Sequence, residues 1–335
     1  MTENKDWCVV IPTIRKHSFD TFMEAWIDLF RQHKVKVIVI EDNPTKTFDM
    51  PKHGLDIDHY SWQEIDEHVM IDDGKNVDFT WIFPRRCDGI RSFGFYKAYK
   101  AGYKYVLTLD DDVVPCNYSY DIFEEYERVF KAKVANSNYY NVGDMHVTPT
   151  YHMRGFPFSQ RAKNVDVWIQ YGGWCNVPDF DAITQLEAKQ KDGYTFTKET
   201  YVVPRGMALT GCIMNCAMRR EAIPYMYQLL MGINHNTNKP WGFERWGDIW
   251  SGLYAKYHMD ILNKGVAING LAQVCHTRAS DTMTNLQKEA SGYGANEDMW
   301  DNLHKYRGII KTTNDEYDKK LYEAIKLWKK LTNDY

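Results

Sequence analysis

Nowhere does this sequence hold the roughly twenty consecutive apolar residues that a membrane-crossing helix needs. The polar start Met1-Thr2-Glu3-Asn4-Lys5-Asp6 leads into an apolar run of only a few residues, too short for the core of a secretory signal. Cysteine is sparse and unpatterned. Seven residues, an odd number in no framework spacing, exclude a disulfide-stapled scaffold and point to a reducing, cytoplasmic compartment. Cys212 and Cys216 sit four apart and would share one face of a helix. No second Cys/His pair completes a ligand set with them, so they read as small buried apolar residues. Neither sign of charge prevails: 41 Lys and Arg against 45 Asp and Glu give a net charge of -4, with no footprint of a general nucleic-acid binder. There is no internal repeat and no low-complexity linker.

What the sequence does have is aromatic mass, 15% of its residues, within a 44% hydrophobic composition typical of a folded domain. Trp7-Cys8-Val9-Val10-Ile11-Pro12 is a continuous apolar run closed by proline, the mark of a strand buried on both faces. From Ser18 to His33 apolar residues recur at helical spacing, with Ser18 as the expected N-cap, and Val35–Ile40 then reads as a second strand. Strand, helix and strand at this spacing open a nucleotide-binding sheet. Ile90–Gly102 reads as a helix and Tyr105–Leu109 as a third buried strand. Further helices are expected over Asn117–Asn141, Asp248–Tyr257 and Tyr317–Leu331. The polar stretch Lys52–Lys75 supports no assignment. Met153–Met218, rich in Gly, Pro and aromatics, reads as loops and short strands. One domain over residues 1–290, with a helical extension over 291–335 packed on it, is the expected organisation.

The chemistry centres on Asp110-Asp111-Asp112. Three adjacent carboxylates repel one another and are tolerated when solvated or neutralised by a cation. Here they follow a buried strand, and ligands gather at the carboxyl ends of strands in open α/β sheets. A hard divalent cation is the natural counter-charge, bridging to a diphosphate and stabilising it as it leaves. His276, after a short apolar run, is a candidate third ligand, and Arg278 a neutraliser of phosphate oxygens. Arg154 and Arg161 flank a Gly/Pro/aromatic turn and read either as surface ion-pair formers or as an anion clamp facing a sugar. Trp174, Asp179 and Asp181 combine a ring for stacking with carboxylates for hydroxyls. Glu244 and Asp248, four apart, would share a helix face, and either suits a general base or an orienting group for an acceptor hydroxyl.

Taken in order, these segments resemble the reversibly glycosylated polypeptides, the UDP-arabinopyranose mutase family. The resemblance rests on Val10-Ile11-Pro12-Thr13-Ile14-Arg15, Asp42 with Pro44-Thr45-Lys46-Thr47, Arg91-Ser92-Phe93-Gly94, the three aspartates, and Arg154-Gly155-Phe156-Pro157-Phe158-Ser159-Gln160-Arg161. It continues through Asn176–Asp181 with Thr184-Gln185-Leu186, Gly211-Cys212, Met214-Asn215, and His276 with Ala279-Ser280. It implies a GT-A-like, Rossmann-type nucleotide-sugar-binding fold with a mostly parallel central sheet flanked by helices, binding a UDP-sugar through Mn²⁺ or Mg²⁺. Pro12, Thr13, Arg15, Asp42, Arg91, Asp110 and Asp111 would then bind the nucleotide. Asp110, Asp112 and His276 would hold the metal; Trp174, Asp179, Asp181 and Asn215 would meet the sugar; Arg154, Arg161 and Asp248 would act in catalysis. The implied reaction interconverts UDP-arabinopyranose and UDP-arabinofuranose, with self-glycosylation on Arg154. One departure stands out: Gly247-Asp248 replaces a pair of aspartates in the family pattern. That leaves a glycosyltransferase as a second reading, moving a pentose or hexose to a glycan, a protein or a modified DNA base. A binding protein that keeps only the scaffold is a third. Nucleic acid is a partner only if the acceptor is DNA, no membrane is expected, and an oligomer of like or mixed chains is left open.

Overall fold

Val9, Val10 and Ile11 are wholly buried, and a strand whose successive side chains point to opposite faces can bury all three only inside a sheet covered on both sides. The computed structural model describes residues 5–50, 54–73, 79–116, 120–145, 151–161, 164–234 and 237–333. Strand β1 (Trp7–Thr13) leads through helix α1 (Lys16–His33) to β2 (Lys36–Glu41), then to β3 (Asp56–Tyr60) and α2 (Trp62–Asp73). Helix α3 (Arg91–Ala101) precedes β4 (Tyr105–Leu109) and the short β5 (Val113–Pro115). After α4 (Ile122–Lys131) come β6 (Lys133–Ala135), the long β7 (Asn164–Asn176), α5 (Ala182–Glu187), β8 (Thr200–Val202) and β9 (Asn215–Arg219). A small hairpin of β10 (Ile233–Asn234) and β11 (Lys239–Pro240) precedes α6 (Gly247–Ile261) and β12 (Gly265–His276). Helices α7 (Thr282–Glu289), α8 (Tyr293–Glu297), α9 (Met299–Lys305) and α10 (Asp315–Thr332) follow.

The main sheet runs in the order β3-β2-β1-β4-β9-β7-β12-β5, with β6 paired to β7 and β8 to β12. β3, β2, β1 and β4 pair in parallel. β9 is antiparallel to both β4 and β7, so β7 and its parallel neighbour β12 run the same way as β4. Six of the ten strands therefore share one direction, but with five of its nine pairings antiparallel the sheet is mixed, flanked by helices as the sequence led one to expect. The carboxyl ends of β1, β4, β7 and β12 lie along one edge. That edge carries Thr13, Asp110, Asn176 and His276.

Alternation divides the core. Cys8, Val10, Ile38 and Ile40 belong to one apolar cluster, and Trp7, Val9, Ile11, Val37 and Val39 to the other. The first cluster also takes in Tyr317, Leu321, Ala324 and Trp328 of α10. Trp328 donates from Nε1 to the Ile223 carbonyl at 3.2 Å and meets Phe83 edge-on.

Several elements differ from the sequence expectation. Helix α1 begins at Lys16, capped by Arg15 without a side-chain hydrogen bond, so Ser18 lies inside the first turn and caps nothing. The helix expected over Asn117–Asn141 is confined to Ile122–Lys131, because Asp121 caps it and the chain becomes extended at Ala132; residues 117–119 lie outside the described ones. β3 and α2 occupy the unassigned polar stretch. β7 is much longer than the short strands expected over Met153–Met218. Cys216 lies in β9 with Cys212 just before it, so the two share no helix.

Candidate active site

The aspartates follow β4 because Asp110 is held by its backbone N–H on the Met214 carbonyl at 3.1 Å. Their side chains then part. Asp111 turns inward, accepting from Thr13 Oγ1 at 2.6 Å and Arg15 Nη2 at 2.9 Å. Burial raises its carboxyl above the ordinary carboxylate range, against the pull of Thr13 and Arg15. Asp110 accepts from the buried Arg91 at 2.6 Å. Arg91 also donates to Thr108 Oγ1 and the Ile213 carbonyl, so its guanidinium is fixed from three sides. Asp112 Oδ2 accepts from Arg278 Nε at 2.8 Å. Asp112 Oδ1 is buried with no hydrogen-bond partner, and it lies 3.8 Å from His276 Nε2.

A buried carboxylate oxygen left unpaired costs free energy unless something fills its place. His276 points Nδ1 at the Val177 carbonyl, 3.0 Å away. A carbonyl only accepts, so that nitrogen carries the proton and Nε2 presents its lone pair toward Asp112. The backbone locks the two ends together, since Thr277 donates from both N–H and Oγ1 to the Asp112 carbonyl. An imidazole lone pair beside an unpaired carboxylate oxygen is a donor set that suits a divalent cation. Among the described residues no three His, Cys, Asp or Glu side chains are already gathered as a metal cage. Asp112 and His276 converge, while Asp110 Oδ1 is taken by Arg91.

These residues line a cleft of about 910 Å³, with Arg91, Asp110, Asp112, Trp174, Asp179, Asp181, Asp248, His276 and Arg278 all on its wall. Trp174 meets Phe180 edge-on at 5.8 Å between ring centroids, and Phe196 lies on its other side, so one wall is aromatic. The opposing floor is acidic. Asp248 opens α6, and burial followed by the charges of Asp88 and Asp179 pushes its carboxyl up to about 8, with Arg91 opposing. Burial likewise raises Asp88, with Arg91 opposing and Asp110 adding. Burial raises Asp179 against a hydrogen bond from the Cys212 thiol. The floor thus groups three carboxyls raised by burial, of which Asp248, pushed up to about 8, suits the protonated state a general acid needs.

The remaining expected residues lie elsewhere. Asn215 is no sugar ligand: wholly buried, it accepts from Tyr126 Oη at 2.7 Å and donates to the Gly173 and Ala272 carbonyls. Its hydrogen-bonding capacity is spent on holding β7 and β12 to β9. Gly172 sits in the same clamp, where a Cβ would stand 2.1 Å from Asn215 Nδ2. Arg154 and Arg161 are exposed and do not line the cleft, and Arg161 packs its guanidinium over the Phe158 ring instead. Their expected place facing the sugar is corrected to the surface, because the turn between them buries no residue that would draw it inward. Asp42 accepts from Trp62 Nε1 at 2.7 Å and from the N–H groups of Arg86 and Cys87, bracing the cleft rim from behind. Pro12, Thr13 and Arg15 also stand outside the lining. Glu244 is not helical, so it shares no helix face with Asp248, although both reach the cleft.

Asp88, Arg245 and Glu289 are among the lining residues to which the sequence reading gave no role. Asp88 immediately precedes the turn into α3, and its place beside Arg91 was the available signal. Arg245, in a left-handed conformation at φ 63°, donates from Nε to Glu289 at 3.0 Å. Glu289, only 3% exposed, also accepts from the Ala182 N–H and Tyr293 Oη.

Residues 2–329 match the sequence profile of the family described as reversibly glycosylated polypeptide. The chain belongs to that family. Among its relatives, a probable UDP-arabinopyranose mutase 1 of Pisum sativum is 31% identical over 85% of this chain and 73% of its own length. The UDP-arabinopyranose mutase 1 of Arabidopsis thaliana is 30% identical over 87% of this chain and 76% of its own. Among solved structures, glucosyl-3-phosphoglycerate synthase from Mycobacterium tuberculosis, in complex with Mn²⁺, UDP-glucose and phosphoglyceric acid, overlaps 92% of this chain and 82% of that one. Its identity is 13% and its TM-score 0.42, a likeness too distant to inform the chemistry of this reversibly glycosylated polypeptide. No helix among the described residues is long and apolar enough to cross a membrane.

Proposed function

We propose that this protein is a UDP-sugar enzyme on a GT-A-like scaffold, a UDP-arabinopyranose mutase by reaction, working in the cleft between Trp174 and Asp248. The observation that carries the reading is the pairing of Asp112 and His276 beside Arg91 and Arg278, in a chain whose relatives over most of its length are mutases. Asp112 and His276 would hold Mn²⁺ or Mg²⁺, which when bound neutralises diphosphate charge as the bond to the sugar breaks. Asp110 stays oriented on Arg91 and faces the same space. Arg278 and Arg91 place fixed positive charge where the diphosphate oxygens would gather. The aromatic wall would cover one face of the sugar while Asp179 and Asp248 address its hydroxyls. For a mutase, the bond from the anomeric carbon to UDP would break, a different sugar hydroxyl would bond to that carbon and give up its proton, and the original ring carbon–oxygen bond would break as UDP returns, the freed ring oxygen taking up a proton. The protonated carboxyl of Asp248 suits donation and recovery of a proton at those hydroxyls.

Gly247 bears on the choice between mutase and transferase. A Cβ at position 247 would lie 3.8 Å from Asp88 Oδ1. The Asp88 carboxyl, close to that position, would stand in for the missing aspartate, which favours the mutase reading over transfer to a separate acceptor. Self-glycosylation on Arg154 forms no part of the proposal, because that side chain does not line the cleft. Seven free cysteines fit the reducing cytoplasm.

The deciding experiment supplies UDP-arabinofuranose and Mn²⁺ with no acceptor. Formation of the pyranose form is expected, with Asp88→Asn slowing it by on the order of 100-fold. Slow release of UDP with no ring interconversion would sink the mutase, and sugar appearing only on an added acceptor would establish the transferase.

A further inference from the structure

Seven cysteines scattered along the sequence give no hint of pairing, yet the fold gathers three of them. β7 and β12 run side by side with Cys175 directly opposite Cys275 in register. On the other flank of β12, β5 pairs Val114 with Cys275 and ends at Pro115. Cys116, the next residue, brings its sulfur to 3.1 Å from that of Cys175, across the strand that carries Cys275. The other four cysteines stand apart from this trio: Cys8 and Cys216 are wholly buried in the core, and Cys87 and Cys212 belong to the cleft lining.

We propose that Cys116 and Cys175 form an oxidation site that closes to a disulfide in response to a peroxide, with Cys275 standing by as an exchange partner. The sulfurs are only about 1 Å beyond the length of a disulfide bond of ~2.05 Å. All three residues are partly exposed. A small cavity of about 20 Å³ beside Cys116, lined by Trp26, Tyr120 and Gln273, is large enough for one water-sized molecule. The chemistry balances with hydrogen peroxide as the oxidant. One thiol gives up its proton, and the thiolate attacks a peroxide oxygen, breaking the O–O bond, forming a sulfenic acid and releasing hydroxide, which takes up that proton as water. The neighbouring thiol then attacks the sulfenic sulfur, and the hydroxyl leaves with that thiol's proton as a second water. Two thiols lose two electrons in all, and the peroxide is reduced to two waters.

Burial raises the Cys116 thiol, with the neighbouring Cys175 adding to the shift, so the first step is slow at neutral pH. Proximity makes the second fast, because the resolving thiol is already in contact. That combination favours a disulfide over further oxidation of the sulfenic acid. Thiol–disulfide exchange onto Cys275 would then pass the bond from the β5 flank to the β7–β12 pair.

The test uses the full chain treated with hydrogen peroxide, followed by alkylation of the remaining thiols and peptide mapping. A mass loss of two hydrogens and a peptide linking Cys116 to Cys175 are expected, absent in Cys116→Ser and Cys175→Ser and retained in Cys275→Ser. Circular dichroism and thermal melting establish that the variants fold. Should either pair variant fail to fold, the Cys275→Ser protein carries the test alone through its linked peptide. Full alkylation of all three cysteines after peroxide, stable sulfinic acid on Cys116 or Cys175, or linkage confined to other cysteines would overturn the proposal. The readout is a covalent bond, so it stands or falls independently of any sugar chemistry.

Discussion

Asp112 Oδ1 is a buried acceptor without a donor, and the proposed cation site is tested at it. Asp112→Asn replaces one carboxylate oxygen with an amide and leaves His276 without its anionic partner. Thermal melting with UDP should then show no added stabilisation from Mn²⁺, whereas the unaltered chain gains from the two together; His276→Ala should behave alike. Retention of the full Mn²⁺ effect in both variants would show that the metal sits elsewhere. Asp248 makes a different prediction. Its folded carboxyl titrates at about 8, against about 3.9 for an unfolded aspartate. Between those values the folded chain binds more protons than the unfolded one, so this residue makes stability fall as pH rises through the window. Asparagine has nothing to ionise. The advantage of Asp248→Asn over the unaltered chain in urea unfolding should therefore grow from about pH 4 to about pH 8 and level off above. An advantage independent of pH would mean that burial does not hold a proton on Asp248.

At the scale of elements, a tight constraint lies where α3 crosses β1. A Cβ on Gly94 would fall 2.3 Å from Val10 Cγ1, so Gly94→Ala should destabilise by about 1–3 kcal/mol. In a Val10→Ala background the obstructing methyl is gone, and the same substitution should cost less. Equal costs in both backgrounds, measured by denaturant unfolding, would place the strain elsewhere. The elements legible in the sequence were those whose own pattern decides them. β1, β2 and β4 are continuous apolar runs; α1, α6 and α10 repeat at helical spacing. β7 was hidden although Val165, Val167, Ile169 and Tyr171 alternate, because Gln170, Gly172 and Gly173 interrupt it with residues that make sense only beside their partners. Gln170 donates to the Tyr126 carbonyl, and Gly172 yields room to Asn215. The site was legible in the same uneven way. The three aspartates stood out because a buried strand delivers charge to a sheet edge, and of them Asp110 and Asp112 line the cleft while Asp111 turns toward Thr13 and Arg15. Asn215, Arg154 and Arg161 were misplaced because a short motif reads alike whether its side chain faces a cleft, a core clamp or solvent.

Over the whole molecule, six strands aimed one way, with β5 running back beside β12, bring residues from Arg86 to Asn296 to a single cleft. Its floor mixes Arg91 and Arg245 with Asp88, Asp179 and Asp248, so the charge it presents is set by how many protons those carboxyls carry. A nucleoside diphosphate arriving there adds negative charge beside groups already reluctant to ionise. Proton uptake from solution must accompany binding, and the heat measured by titration calorimetry should include the ionisation heat of the buffer. UDP binding in Tris and in phosphate should therefore give different apparent enthalpies at one pH, and Asp248→Asn should narrow the gap. Equal enthalpies would mean that the floor is fully protonated, or fully ionised, before the ligand arrives. In that sense the acidic floor makes the protein's affinity for its ligand a function of the solution's capacity to lend protons.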